Sequence, residues 1–118
     1  MKEKTVGIGI AVLEGFSRYE ILDTGIVKYR DSGKICPDYG DGKGNTRGYR
    51  KIKLYNDDGI RKCFSIHRLV WLAFFGEIPK GFEVDHIDRN RANNHSDNLR
   101  VIPLLMNRKK IKREKVSW

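Results

Sequence analysis

The sequence predicts an α+β fold: a small antiparallel, β-rich N-terminal part, one buried helix, then a strand–loop–strand–helix unit. Three observations carry this. Short alternating strands separated by turn residues fill the chain as far as Ile66. At His67 the apolar period changes from two to about 3.6. Beyond it, a dense polar stretch, Asp88 to Asp97, separates two short apolar segments.

The elements follow in order. Tyr19–Leu22 and Ile26–Tyr29 flank Asp23-Thr24-Gly25, a tight hairpin in which Gly25 supplies a positive φ. Pro37 to Gly48 is glycine-rich and polar, and reads as a mobile loop. Tyr49–Tyr55 pairs with Arg61–Ile66 across Asn56-Asp57-Asp58-Gly59; alternation turns Ile52 and Leu54 inward and Lys51 and Lys53 outward. His67–Phe75 is a short buried helix stopped by Gly76 and Pro79, with Trp71, Phe74 and Phe75 as packing groups. His67, at the strand-to-helix junction, is expected to cap the helix or to hydrogen-bond in the interior. Phe82–Ile87 and Asn98–Ile102 are strands, and Pro103 opens a helix running from Leu104 to about Arg113.

Composition narrows the class. The chain has 118 residues, 39% hydrophobic and 10% aromatic, enough for a modest core and too many for a disordered chain. With 24 Lys and Arg against 15 Asp and Glu, its formal charge is +9, which favours an anionic partner, nucleic acid ahead of anionic lipid. No apolar run approaches the ~20 residues of a membrane span. Val6–Leu13 is too short, and Glu14-Gly15 too poor a cleavage site, for a signal peptide. The two cysteines, Cys36 and Cys63, lie far apart, so neither a disulfide framework nor a structural zinc is expected, and the cytoplasm is the expected compartment.

The chemistry gathers in the last third. A carboxylate (Asp85) and an amide (Asn107) can hold a hard divalent cation, and the imidazole of His86 can act as a base beside them. Asn98 stands where the polar loop meets its second strand. Neighbours on a strand point to opposite faces, so Asp85 and His86 share a site only at a strand's end or where it is distorted. His95 reads as a loop histidine rather than a second ligand.

Val84-Asp85-His86-Ile87-Asp88, Asn93-Asn94 and Asp97-Asn98-Leu99-Arg100 together resemble the HNH endonuclease family with its ββα-metal fold. More narrowly they are similar to phage and intron-encoded homing enzymes whose last motif residue is asparagine. His67-Arg68-Leu69-Val70, Phe74-Phe75-Gly76 and Ile78-Pro79 fit the lead-in of that subfamily, and the segment from Glu14 through Gly25 resembles a small modular domain attached to such nucleases.

The resemblance implies a metal-dependent endonuclease acting on double-stranded DNA, with a β-rich DNA-binding segment over residues 1–66 and the nuclease unit over 67–118. His86 would be the general base, Asp85 and Asn107 would hold one Mg²⁺ or Mn²⁺, and Asn98 would brace the loop so that a loop carbonyl orients the His86 ring. Lys51, Lys53, Arg89, Arg91, Arg100, Arg108, Lys109, Lys110 and Lys112 are the basic side chains expected to meet phosphates. With one site per chain, a monomer is expected to nick. Two departures bear on the resemblance: the paired zinc-binding cysteines of many relatives have no counterpart in Cys36 and Cys63, and no helical specificity region is expected beyond the basic tail. The competing readings are a non-catalytic DNA-binding module and a factor that sets its basic face against an acidic protein.

Overall fold

The structure, a computed structural model, describes residues 5–7, 9–40 and 49–104. Four short antiparallel strands form the first sheet in chain order: β1 (Thr5–Gly7), β2 (Ile10–Ala11), β3 (Tyr19–Leu22) and β4 (Val27–Tyr29). The β3–β4 turn closes where the sequence predicts it, with Leu22 N–H donating to the Ile26 carbonyl at 2.8 Å and Gly25 at φ +98°. A second ribbon pairs β5 (Lys51–Tyr55) with β6 (Arg61–Ser65). Alternation holds in β5: Ile52 and Leu54 are buried, whereas Lys53 and Tyr55 are exposed. The predicted loop from Pro37 is more regular at its start than expected, because Tyr39 bridges Lys51 through two backbone hydrogen bonds of 2.8 Å; its residues 41–48 lie outside the described residues.

Helix α1 (Ile66–Phe75) starts directly from β6 and ends at Gly76, φ +98°. Ile66, Leu69, Val70 and Ala73 form its buried face; Arg68 and Phe75 are exposed, and the Phe75 ring lies against Trp71, centroids 4.4 Å apart. The last ribbon joins β7 (Phe82–His86) to β8 (Leu99–Pro103). Two sequence expectations shift here. Asn98 ends a 3₁₀ turn, Ser96–Asn98, instead of opening the strand. Pro103 closes β8 opposite Phe82, at a strand end where its missing N–H costs no ladder bond. Only Leu104 begins the expected helix within the described residues.

One cluster of buried side chains draws on every sheet, from Ala11, Tyr19 and Ile21 through Ile52 and Leu54 to the helix, Val84 and Leu99. Polar ties reinforce it: the Tyr19 hydroxyl accepts the Tyr55 N–H at 2.9 Å, and Asp57 Oδ1 accepts from both the backbone and hydroxyl of Ser17. The first sheet also reaches the C-terminal ribbon. Ser96 N–H donates to the Asp23 carbonyl at 2.7 Å, and Gly25 is so close to Asn94 that an added Cβ would sit 3.1 Å from the Asn94 Cβ and 3.3 Å from Ile66 Cγ2.

Gly25→Ala therefore combines a left-handed backbone, costing about 2 kcal/mol, with a collision. Gly33, φ +74° with open space around it, is the control for backbone strain alone. Thermal melts should show Gly25→Ala losing more stability than Gly33→Ala; equal losses would mean that the contact with Asn94 carries no weight.

Candidate active site

Strand alternation divides the two central residues. Val84 and His86 are buried, while Asp85 faces the other way. Their register partners are Arg100 opposite Asp85 and Leu99 opposite His86. His86 is the last residue of β7, so the strand's end, where both faces meet, is the place at which the two can serve one substrate.

On the buried side, His86 is 4% exposed and its Nε2 lies 2.7 Å from the side-chain Oδ1 of Asn94, itself 5% exposed. An amide oxygen only accepts, so Nε2 carries the proton and the neutral ring keeps its lone pair on Nδ1. This differs from the sequence expectation: the ring's partner is the Asn94 side chain, not a loop carbonyl. Asn94 is a residue the sequence reading passed over. Its adjacency to Asn93 was visible, but in a run so rich in amides nothing distinguished the one that turns inward.

Asn98 ties the loop to itself. Its Nδ2 donates to Asp88 Oδ1 at 2.9 Å and to the Asn93 carbonyl at 2.8 Å, and its Oδ1 accepts the Asp88 N–H at 3.1 Å. Asp88 also accepts from Asn93 Nδ2 and from the Asn90 N–H. These bonds, the one from Asn93 first, then those from Asn90 and Asn98, hold the Asp88 carboxyl below its ordinary value. Arg89, φ +67°, is the one non-glycine residue with positive φ among the described residues, and it turns the chain into this knot.

On the other face of β7, Arg100 Nε donates to Asp85 Oδ2 at 3.0 Å. The sequence reading gave Arg100 to DNA alone; cross-strand register gives it the Asp85 carboxylate. Among the described residues no three His, Cys, Asp or Glu side chains are grouped to hold a metal. Asp85 is an oxygen donor suited to Mg²⁺ or Mn²⁺, and a cation already lies on its carboxylate, so positive charge is stabilised at this spot. Asn107, Arg108, Lys109, Lys110 and Lys112 lie outside the described residues. His95 lies between Asp23 and Asp97, 3.9 and 3.8 Å away, and its Nδ1 accepts the Asp97 N–H.

His67 does neither thing expected of it. Ser65 occupies the helix N-cap, and His67 Nδ1 is the only buried side-chain nitrogen or oxygen among the described residues without a hydrogen-bond partner. Its ring instead stacks on Tyr49 (centroids 5.1 Å, interplanar 20°) and meets His86 (4.7 Å, 43°). Arg91 stands over the Tyr49 ring, its guanidinium carbon 4.6 Å from the ring centroid. On the β5–β6 ribbon, Lys51 and Lys53 share the outward face with Arg61, which register places opposite Tyr55 and which the sequence reading missed. Lys53 also stands over the Tyr39 ring at 5.4 Å.

The chain is similar to several known proteins. A family model described as HNH endonuclease matches residues 64–108. The chain is 36% identical over 89 residues to DNA endonuclease I-HmuI of Bacillus phage SP01, covering 75% of this chain and 48% of that protein. It is 32% identical over 96 residues to the gene 5.3 protein of Enterobacteria phage T3, covering 80% and 81%. A solved structure concerned with DNA binding and cleavage by the HNH homing endonuclease I-HmuI superposes with a TM-score of 0.73 at 31% identity, over 90% of this chain and 59% of the other. With antiparallel ribbons, a helix between them and an Asp-His pair at a strand's end, this chain belongs to the HNH endonuclease family. It spans about half the length of I-HmuI.

Burial first, then the charges of His86, Arg68 and Lys51, push His67 from 6.5 down to about 3. The unfolded chain thus takes up a proton here, between those two values, that the folded protein refuses. The resulting stabilisation is complete above about pH 6.5 and is lost as pH falls toward about 3. Thermal melts should show the midpoint falling from neutral pH into that window, and His67→Phe should flatten the fall. An equally steep fall in the variant would remove His67 as its cause.

Proposed function

We propose that this chain is a metal-dependent DNA endonuclease that hydrolyses phosphodiester bonds in duplex DNA, nicking one strand, with His86 as general base. The observation that carries the reading is the bond between His86 Nε2 and Asn94 Oδ1 at 2.7 Å. It leaves Nδ1 as the basic atom, and its geometry suits both states of the reaction. When Nδ1 takes a proton from the attacking water, Nε2–H still donates to the same oxygen, now as a stronger, charge-assisted bond. No partner has to reorganise as the charge develops.

The water oxygen adds to phosphorus as its proton passes to His86, and the bond from phosphorus to the 3′ oxygen breaks. Asp85 and Asn107 would hold one divalent cation, Mg²⁺ or Mn²⁺; bound there, it supplies Lewis-acid stabilisation to the phosphate and the departing oxygen. Arg100, now on Asp85, would be released to meet a phosphate oxygen when the carboxylate has another cation. Asn98 keeps the loop in the form that presents Asn94. Residues 1–66 act as the DNA-binding segment, with Lys51, Lys53 and Arg61 on the ribbon's outward face meeting the backbone, and residues 67–118 act as the nuclease unit. Arg89 and Arg91 add phosphate contacts at the loop. I-HmuI, which the solved relative's description credits with DNA binding and cleavage, supports this assignment.

Supercoiled plasmid provides the test. Wild type with Mg²⁺ or Mn²⁺ should convert it to the nicked circle, and excess EDTA should stop the conversion. His86→Ala should slow nicking by at least about 100-fold while DNA binding persists. Cleavage by His86→Ala at the wild-type rate would refute the assigned base. A folded, DNA-bound wild type that nicks under no metal would point instead to a non-catalytic DNA-binding module.

A further inference from the structure

We propose that His67 is a positioning residue for this hydrolysis: its ring, stacked on Tyr49, bears on His86 and sets the plane in which His86 Nδ1 meets the attacking water. The inference rests on the function proposed above for His86, but its physical content is a statement about ring order that can be measured without any cleavage.

One hydrogen bond does not fix the His86 ring. Nε2 lies closer than Nδ1 to the line of the Cβ–Cγ bond, so its contact with Asn94 restrains the swing of the ring as a whole more than its rotation about that line. That rotation, χ2, is broad and two-fold for histidine. Nδ1 stands further from the line, so rotation moves the basic atom most. What limits it must press on the ring from the side. His67, with its ring centroid 4.7 Å from that of His86, is nearer to it than Tyr49, whose centroid stands at 6.0 Å.

Three further observations fit a role carried by the ring rather than by its nitrogens. His67 is 7% exposed and its Nδ1 has no partner among the described residues, a burial cost that no hydrogen bond offsets. Its ring contacts are with His86 and with Tyr49, stacked on it at an interplanar angle of 20°; Tyr49 also reaches His86, centroids 6.0 Å apart, and lies under Arg91. The stack also draws on separate parts of the chain. His67 stands in the first turn of α1, Tyr49 just ahead of β5, and His86 at the end of β7, so the ring pressing on His86 is anchored independently of the strand that carries it. Because burial keeps His67 uncharged near neutral pH, it can press there without placing a second positive charge beside the base.

The test compares wild type with His67→Ala, His67→Leu and His67→Phe. Leucine fills much of the space without a flat face, and phenylalanine restores a face without nitrogens. The first readout is the NMR order parameter of the His86 ring Cδ2–Hδ2 vector, which lies off the rotation axis. It should fall in His67→Ala and His67→Leu and recover in His67→Phe. The second is single-turnover nicking, where the alanine and leucine variants should lose roughly 10- to 100-fold in rate constant. Plasmid affinity should stay within about threefold, and His67→Phe should regain most of the rate. An unchanged order parameter in folded His67→Ala and His67→Leu overturns the proposal, as does a phenylalanine variant as slow as the alanine one. If wild type fails to nick, the function proposed above falls, and the order parameters still decide whether His67 orders the ring.

Discussion

The buried hydrogen bond between His86 and Asn94 is the contact on which the arrangement of the site depends. It is short, 2.7 Å, and both partners are almost wholly enclosed, so neither has water as an alternative. For Asn94 to be there, the loop from Asp88 to Asp97 must bury one side chain while the others stay exposed or half-buried. Asn98 and Asp88 bring this about by occupying each other and the Asn93 backbone. The first sheet then closes the other side: Asp23 takes the Ser96 N–H, and the missing side chain of Gly25 leaves room for Asn94. A turn in the N-terminal hairpin thus helps to set the position of a C-terminal imidazole.

The same strand geometry that buries His86 sends Asp85 away from it. A carboxylate on the open face of a two-stranded ribbon needs a counter-charge, and cross-strand pairing supplies Arg100. The pair is half-exposed, so its contribution to stability is small. Its consequence is electrostatic: the Arg100 guanidinium balances the Asp85 carboxylate across the ribbon. Putting the pair on one face and the buried imidazole on the other lets five residues of backbone present two kinds of chemistry at one tip.

Much of this was legible in the sequence because it follows from period and register. The β3–β4 and β5–β6 hairpins, the inward Ile52 and Leu54, and the helix after Ser65 all come from local patterns whose energy is local. The opposition of Asp85 and His86 followed from alternation alone. What escaped is what depends on distant partners. Nothing near Asn94 in sequence shows that Gly25 makes room for it. His67 was misread for a related reason. A histidine at a helix start is ordinarily a cap, but here Ser65 holds that place and the ring is claimed by Tyr49 and His86, from elsewhere in the chain. Pro103 shows the converse, a strong local preference for a helix start displaced by one residue because β8 still had a partner in Phe82.

The buried polar side chains among the described residues are His67, His86 and Asn94, and all three lie together. A core built for stability alone would fill that space with aliphatic groups, since an enclosed imidazole contributes less than a leucine and an orphaned nitrogen costs free energy outright. Arg89, in a backbone conformation that non-glycine residues rarely adopt, adds its strain a few residues away. These departures do not scatter over the fold, as accidents of packing would. They lie around one imidazole, while the sheets and helix keep to pattern. A small protein with a modest core can bear such a concentration because Ile66, Leu69, Val70 and the β5 apolar residues, buried beside it, need no polar partner at all. The regular part of the fold offsets the irregular part, and the irregular part is where an imidazole is held with one nitrogen bound and the other left basic.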